Sequence, residues 1–141
     1  MTDLTGQSGE DVYFGGQARL LRLAESADQR GKLLPIAFSR LPFEPKRCFI
    51  VSEVPAGTCR GRHAHRFGSQ LLFCLNGRVD VLMRDGKSET TVTLSNDSAA
   101  LLIGPRIWAQ QTYVTENSIL MVLASYDYDR SSYIEDLDAL S

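Results

Sequence analysis

The sequence predicts an all-β fold, a barrel or sandwich of short antiparallel strands. Three observations carry this. About nine β-rich or alternating apolar runs follow one another at hairpin spacing. No run with helical periodicity separates them, as an alternating α/β sheet would require. The breaks fall at turn-forming clusters: Pro55-Ala56-Gly57, Asn76-Gly77, Asp85-Gly86 and Gly104-Pro105.

Taken in order, residues 1 to about 16 are polar and glycine-rich and read as a flexible N-terminal arm. Arg19 to Leu23 and Lys32 to Phe38 are short apolar runs separated by the polar turn Asp28-Gln29-Arg30-Gly31. Cys48 to Val54 is β-rich and stops at Pro55. Gln70 to Leu75 is strongly apolar, and Val79, Val81 and Met83 then alternate with Asp80, Leu82 and Arg84. Asn76-Gly77 between these two runs predicts a tight hairpin, because that turn needs φ > 0 at both central residues. Thr90 to Leu94 alternates, Ala99 to Ile103 is a buried-type run, and Ile107 to Val114 and Ser118 to Ala124 complete the set. Tyr133, Ile134, Leu137 and Leu140 are spaced for a short C-terminal helix.

The chain has 141 residues, enough for one domain with a sizeable core. A formal net charge of −2, with no long basic run, argues against a nucleic-acid partner. Cys48, Cys59 and Cys74 form an odd set without metal-type spacing and read as free thiols in a reducing compartment. The N-terminus lacks the apolar stretch of a signal peptide, and no run has the length of a membrane helix. The expectation is a cytoplasmic protein with no membrane partner.

The chemistry concentrates in Arg60-Gly61-Arg62-His63-Ala64-His65-Arg66-Phe67-Gly68-Ser69-Gln70. Residues two apart on a strand share a face, so His63 and His65 project together. They are the only histidines in the chain, and imidazole exchanges protons near neutral pH. In a regular strand Arg60 and Arg62 lie on the face opposite His63.

The spacing His63-x-His65, four residues, Gln70, six residues, Gly77 resembles the first cupin motif, in which a Glu stands where Gln70 does. The second motif places a His a few residues past a proline, but Pro105 is followed by Arg106-Ile107-Trp108-Ala109-Gln110. Two imidazoles and a neutral amide are a poor set for a first-row metal, so no metal and no cofactor are expected. The resemblance implies a cupin-type double-stranded β-helix, with the single cupin domain over 17–141.

From about 27 to 138 the chain resembles the cupin sugar 3,4-ketoisomerases that act on dTDP-4-keto-6-deoxyglucose. The carrying residues are Asp28-Gln29-Arg30-Gly31-Lys32-Leu33, Pro42-Phe43, Lys46-Arg47, Arg60-Gly61-Arg62-His63-Ala64-His65, Cys74-Leu75-Asn76-Gly77, Gly104-Pro105 with Trp108, Leu123-Ala124-Ser125, Tyr128-Asp129 and Tyr133-Ile134. The resemblance implies movement of a ketone from C4 to C3 of a dTDP-linked keto-deoxysugar by proton transfer through an enediol. It makes His63 the base at C3 and His65 its relay or orienting partner. Arg60, then Arg30 and Arg62, would bind the pyrophosphate, with Gln70 and Trp108 on the sugar or base. It also implies a homodimer, and because short antiparallel strands leave edges to cover, the segment before Arg30 is expected to cross to the neighbour.

The chain departs from the family pattern in three places. Cys48-Phe49-Ile50 replaces an aromatic hydroxyl, Ala109 stands where a polar residue often follows the tryptophan, and Ser132-Tyr133-Ile134-Glu135 replaces Asp-Tyr-Ile-Arg. These departures favour the alternative reading, a non-catalytic cupin that binds a nucleotide sugar or regulates a partner enzyme.

Overall fold

The computed structural model describes residues 11–97 and 99–140. Its strands are β1 (Asp11–Tyr13), β2 (Ala18–Arg22), β3 (Ser26–Asp28), β4 (Gly31–Leu33), β5 (Arg47–Val51), β6 (Thr58–His65), β7 (Gln70–Asn76), β8 (Arg78–Arg84), β9 (Glu89–Ser95), β10 (Ala99–Ile103), β11 (Trp108–Tyr113), β12 (Ile119–Ala124) and β13 (Tyr133–Ile134). They form a six-stranded sheet in the order β1-β2-β10-β7-β12-β5 and a five-stranded sheet in the order β13-β6-β11-β8-β9. The β3–β4 hairpin stands apart as a two-stranded sheet. The described helical turns are short 3₁₀ segments.

The core lies between the two sheets, as period-2 patterning requires. Val79, Val81 and Met83 of β8 are fully buried, and they share a cluster with Leu72 and Cys74 of β7, Leu101 of β10 and Val122 of β12. Each such side chain stabilises the fold by about 1.5–3 kcal/mol relative to exposure. β7 is apolar on both faces for a separate reason. Leu71 and Phe73 point to the outside of the six-stranded sheet, where Leu34, Ile36, Leu41 and Phe43 cover them. The run expected as a strand over Lys32 to Phe38 is therefore strand only to Leu33 and then an apolar covering segment.

The hairpin expected at Asn76-Gly77 is not formed: β7 and β8 belong to different sheets. The pair makes a corner instead. Gly77 has φ +77°, and a Cβ there would lie 2.4 Å from Thr115 Oγ1 and 2.6 Å from Ser118 Oγ. Asn76 Nδ2 donates to the Asn117 carbonyl at 2.8 Å, and Val114 N donates to the Arg78 carbonyl at 2.9 Å. The left-handed glycine thus lets the 114–118 loop press against the turn and sends the chain across the barrel. Asp85-Gly86 does join a hairpin, β8 to β9, with Asp85 Oδ1 accepting from the amides of Lys87 and Ser88.

The expected C-terminal helix is replaced by a strand and one turn. Tyr133 and Ile134 pair with His65 and Ala64, covering the edge of β6, and Leu137–Leu140 winds as a single 3₁₀ turn. Of the arm expected over 1–16, Asp11–Tyr13 is strand β1, paired with β2, and Phe14–Gly16 is a 3₁₀ turn; residues 1–10 lie outside the described residues. All three cysteines are free thiols, Cys74 buried and Cys48 and Cys59 exposed.

Candidate active site

One residue too many in β6 sets the site. Ala109 of β11 faces His63, but the next residue, Gln110, faces Gly61. Arg62 is the surplus residue of a β-bulge, and both Gly61 (φ +86°) and Arg62 (φ +67°) are left-handed. The bulge reverses the alternation, so Arg60 lines the same cavity as His63 and His65, while Arg62 does not. Gly61 has no substitute here, since a Cβ would sit 2.5 Å from Gln111 Oε1 and 3.1 Å from the Ala109 carbonyl.

Hydrogen bonding fixes the tautomers of both histidines. His63 Nδ1 lies 3.1 Å from the Gly61 carbonyl, which can only accept, so Nδ1 carries the proton. His65 Nδ1 lies 3.1 Å from Ser132 Oγ. The Ser132 hydroxyl spends its one proton on the Asp129 carbonyl at 2.8 Å, so it accepts from His65. Each imidazole therefore presents an Nε2 lone pair. Their ring centroids are 5.0 Å apart, and His63 stacks on Tyr133 at 4.0 Å with 9° between the planes.

Both imidazoles are held neutral. Burial lowers the His65 pKa to about 4, with the neighbouring His63 and Arg47 adding to the effect. Burial also lowers that of His63, opposed by its bond to the Gly61 carbonyl and by the charge of Glu135. Burial raises the pKa of the Tyr126 and Tyr133 phenols, so both are hydroxyl donors at neutral pH.

These groups surround a cavity of about 180 Å³ between the sheets. Its floor is apolar, with Val51, Leu72, Leu120 and Val122, and its polar lining includes Arg47, Arg60, His63, His65, Gln70, Gln111, Tyr126 and Tyr133. The lining contains two guanidinium groups and no carboxylate. Three buried polar atoms among the described residues lack a hydrogen-bond partner: Arg47 Nε, His65 Nε2 and Tyr126 Oη. All three residues line this cavity. Buried polar atoms are rarely left unpaired, so their convergence marks a place built for a polar ligand. A small cavity with this polar lining suits a compact polar group such as a sugar ring.

The family model described as FdtA, WxcM-like, C-terminal matches residues 16–141. The chain belongs to the FdtA family. It is 32% identical over 121 residues to the TDP-4-oxo-6-deoxy-alpha-D-glucose-3,4-oxoisomerase of Aneurinibacillus thermoaerophilus, covering 85% of this chain and 87% of that one. QdtA, a sugar 3,4-ketoisomerase from Thermoanaerobacterium thermosaccharolyticum solved with TDP, superposes with a TM-score of 0.83 at 34% identity, over 88% and 91% of the two chains. The WlaRB TDP-quinovose 3,4-ketoisomerase of Campylobacter jejuni gives 0.82 at 31% identity, over 87% and 95%. The cupin-like architecture is common to these FdtA-type structures.

Of the site residues expected in this FdtA-family chain, His63, His65, Arg60 and Gln70 meet at one cavity. Three do not join them. Trp108 faces outward from β11, is 5% exposed, and packs with Ala64, Ile134 and Leu140 beneath the Arg84 guanidinium. On that strand it is Ala109, Gln111 and Tyr113 that face inward. Arg30 sits at the tip of the β3–β4 hairpin, 86% exposed and paired with Asp28 at 2.7 Å. Arg62 is exposed on the bulge.

Sequence reasoning overlooked Arg47, Gln111, Tyr126 and Tyr133 as site residues. The signal for Arg47 was available: on β5, Arg47, Phe49 and Val51 line the cavity while Cys48 and Ile50 face out. Tyr126 is recognisable only in three dimensions. Its ring lies over Gly68, where a Cβ would come within 2.1 Å of Cδ1.

Proposed function

We propose that the chain is a TDP-sugar 3,4-ketoisomerase that moves the ketone of a TDP-4-keto-6-deoxyhexose from C4 to C3, in biosynthesis of an unusual deoxysugar. The observation that carries this is the pair of neutral imidazoles with Nε2 lone pairs at a cavity lined by two guanidiniums and no carboxylate. The relatives named above supply the substrate class.

His63 is the base. Its Nε2 takes the proton from C3, the C3–H electrons form the C3=C4 bond, and the carbonyl pair moves onto O4. O4 takes up a proton to give the enediol; the hydroxyl proton of O3 is then relayed away, C4 is protonated, and the C3 ketone forms, so that the protons lost from C3 and O3 are matched by those gained at O4 and C4. His65 serves as the relay. The buried Tyr126 hydroxyl and the Arg47 guanidinium, both unpaired in the cavity lining, are assigned to the enediolate oxygens, whose charge such donors stabilise. In this reading the sugar fills the cavity and the pyrophosphate pairs with Arg60, the exposed arginine of its lining. This donor set, imidazoles with amides and phenols, suits proton transfer and does not suit a resident divalent metal.

Two further parts of the reading concern assembly and place. Strand β3 (Ser26–Asp28), exposed along its whole length, supports a two-fold homodimer built through the segment before Arg30. Among the described residues no helix is long and apolar enough to cross a membrane, which accords with a cytoplasmic enzyme.

Phe49 and Ala109 place apolar surface in the cavity wall, and this favours the second reading, a binder or regulator without turnover. The test is incubation with TDP-4-keto-6-deoxyglucose, with product followed by NMR. A 3-keto product, formed equally in the presence of a chelator, is expected. TDP-sugar binding without product would select the second reading.

A further inference from the structure

His65 is held from behind by the Ser132 side chain. Ser132 is 1% exposed and closes the 3₁₀ turn Arg130–Ser132. Asp129 caps that turn, its carboxylate accepting from Ser131 N at 3.0 Å and Ser131 Oγ at 2.6 Å. The Ser132 carbonyl accepts from Arg66 N at 2.9 Å, and Tyr133 pairs with His65 in register. The turn is thus tied to β6 on both sides of the histidine. The Ser132 proton is committed to the Asp129 carbonyl, so its oxygen is fixed as an acceptor for His65 Nδ1–H.

We propose that Ser132 is a positioning residue for the isomerisation: by accepting the Nδ1 proton of His65, it holds the imidazole in the tautomer whose Nε2 lone pair meets the substrate. This rests on the assignment of His65 as the proton relay. The choice of a hydroxyl matters. The charged and titratable groups facing His65 are His63 on β6, Arg47 on β5, Tyr126 after β12 and Tyr133 on β13, and none is a carboxylate. A hydroxyl orients the ring without stabilising an imidazolium, so a proton taken at Nε2 is readily given back. An isomerase needs that, because every proton it removes must return to the sugar.

Without the Ser132 oxygen, Nδ1–H is buried and unpaired, and the proton moves to Nε2, facing the cavity. The experiment combines ¹⁵N NMR of histidine-labelled protein, free of substrate, with the pH profile of kcat. The chain holds only two imidazoles, and His63→Asn assigns them. Wild type should show His65 protonated at Nδ1. Ser132→Ala should shift the proton to Nε2 and lower kcat on the order of ten- to a hundredfold, with KM little changed. Ser132→Asp should keep the proton on Nδ1 and move the acid limb of kcat to higher pH, since a carboxylate favours the imidazolium. An unchanged tautomer and unchanged kcat in a folded Ser132→Ala protein would overturn the proposal. Tautomers behaving as expected in a wild type that does not turn over keto-sugar would instead overturn the isomerase assignment and leave the tautomer lock standing.

Discussion

Arg60 and His63 line one cavity although three positions separate them on a single strand, an odd spacing that would otherwise put them on opposite faces. The surplus residue Arg62 makes this possible, and Gly61 makes Arg62 possible. A guanidinium and an imidazole are thereby delivered to one cavity by one strand.

Gly61→Ala is expected to destabilise the protein by about 1–3 kcal/mol, from its left-handed φ and the contact with Gln111. It should lower activity as well, because relaxing the bulge turns Arg60 away. Arg62→Gly should leave stability equal or slightly higher and turnover intact, since Arg62 holds a left-handed φ of +67° outside the cavity. Chemical denaturation and steady-state kinetics on the two variants check the pair. Loss of turnover in Arg62→Gly would place that guanidinium back among the substrate ligands.

Nucleotide binding and chemistry should separate. Arg60→Ala should weaken TDP binding roughly tenfold or more, the usual worth of a charge-assisted hydrogen bond, with a smaller effect on kcat at saturation. Calorimetric titration with TDP reads the first, and initial rates at high substrate read the second. Arg30→Ala should leave both unchanged, because Arg30 is paired with Asp28 and lies outside the cavity. An effect of Arg30→Ala on TDP affinity would require the hairpin to reach a neighbouring copy's site.

Acid should act through the histidines twice. In catalysis the base must be neutral, so kcat/KM should fall as pH drops, with its midpoint below 6.5 because burial lowers the His63 pKa. In stability, the folded pKa of His65 is about 4, below its unfolded value, so the unfolded chain takes the proton first. The stability this provides is complete above pH 6.5 and is lost as pH falls towards 4, up to about 3 kcal/mol. Denaturation across that window should show a shallower decline in His65→Gln than in wild type. Arg47→Met should raise the His65 pKa by removing a nearby positive charge. A decline of equal steepness in His65→Gln would remove His65 as its source.

The strands legible in the sequence were those with one wet and one dry face, such as β8, or two dry faces, such as β7. β6 was harder to read because most of Thr58–His65 is exposed and carries no apolar alternation. Its histidine pair was legible from residue type and from the family resemblance. The face shared with Arg60 was not, since it depends on a bulge. Asn76-Gly77 misled because left-handed backbone serves a corner between sheets as well as a hairpin; only Thr115 and Ser118, far along the chain, decide which. The outward face of Trp108 is not legible in the sequence, because its strand parity, inward at Ala109 and Gln111, emerges only from pairing with β6 and β8.

The central claim is that His63 removes a proton from the carbon beside the ketone, and hydrogen exchange at C3 tests it most directly. TDP-4-keto-6-deoxyglucose is incubated in deuterated buffer with wild type and with His63→Asn, and C3 is followed by NMR. Asparagine keeps polarity and approximate size but has no basic nitrogen. Wild type should exchange C3 hydrogen during turnover, and His63→Asn should slow this by a factor on the order of 10²–10⁴ while binding TDP as before. Exchange at the wild-type rate in His63→Asn, or no exchange at C3 in wild type that binds the sugar nucleotide, would contradict the account.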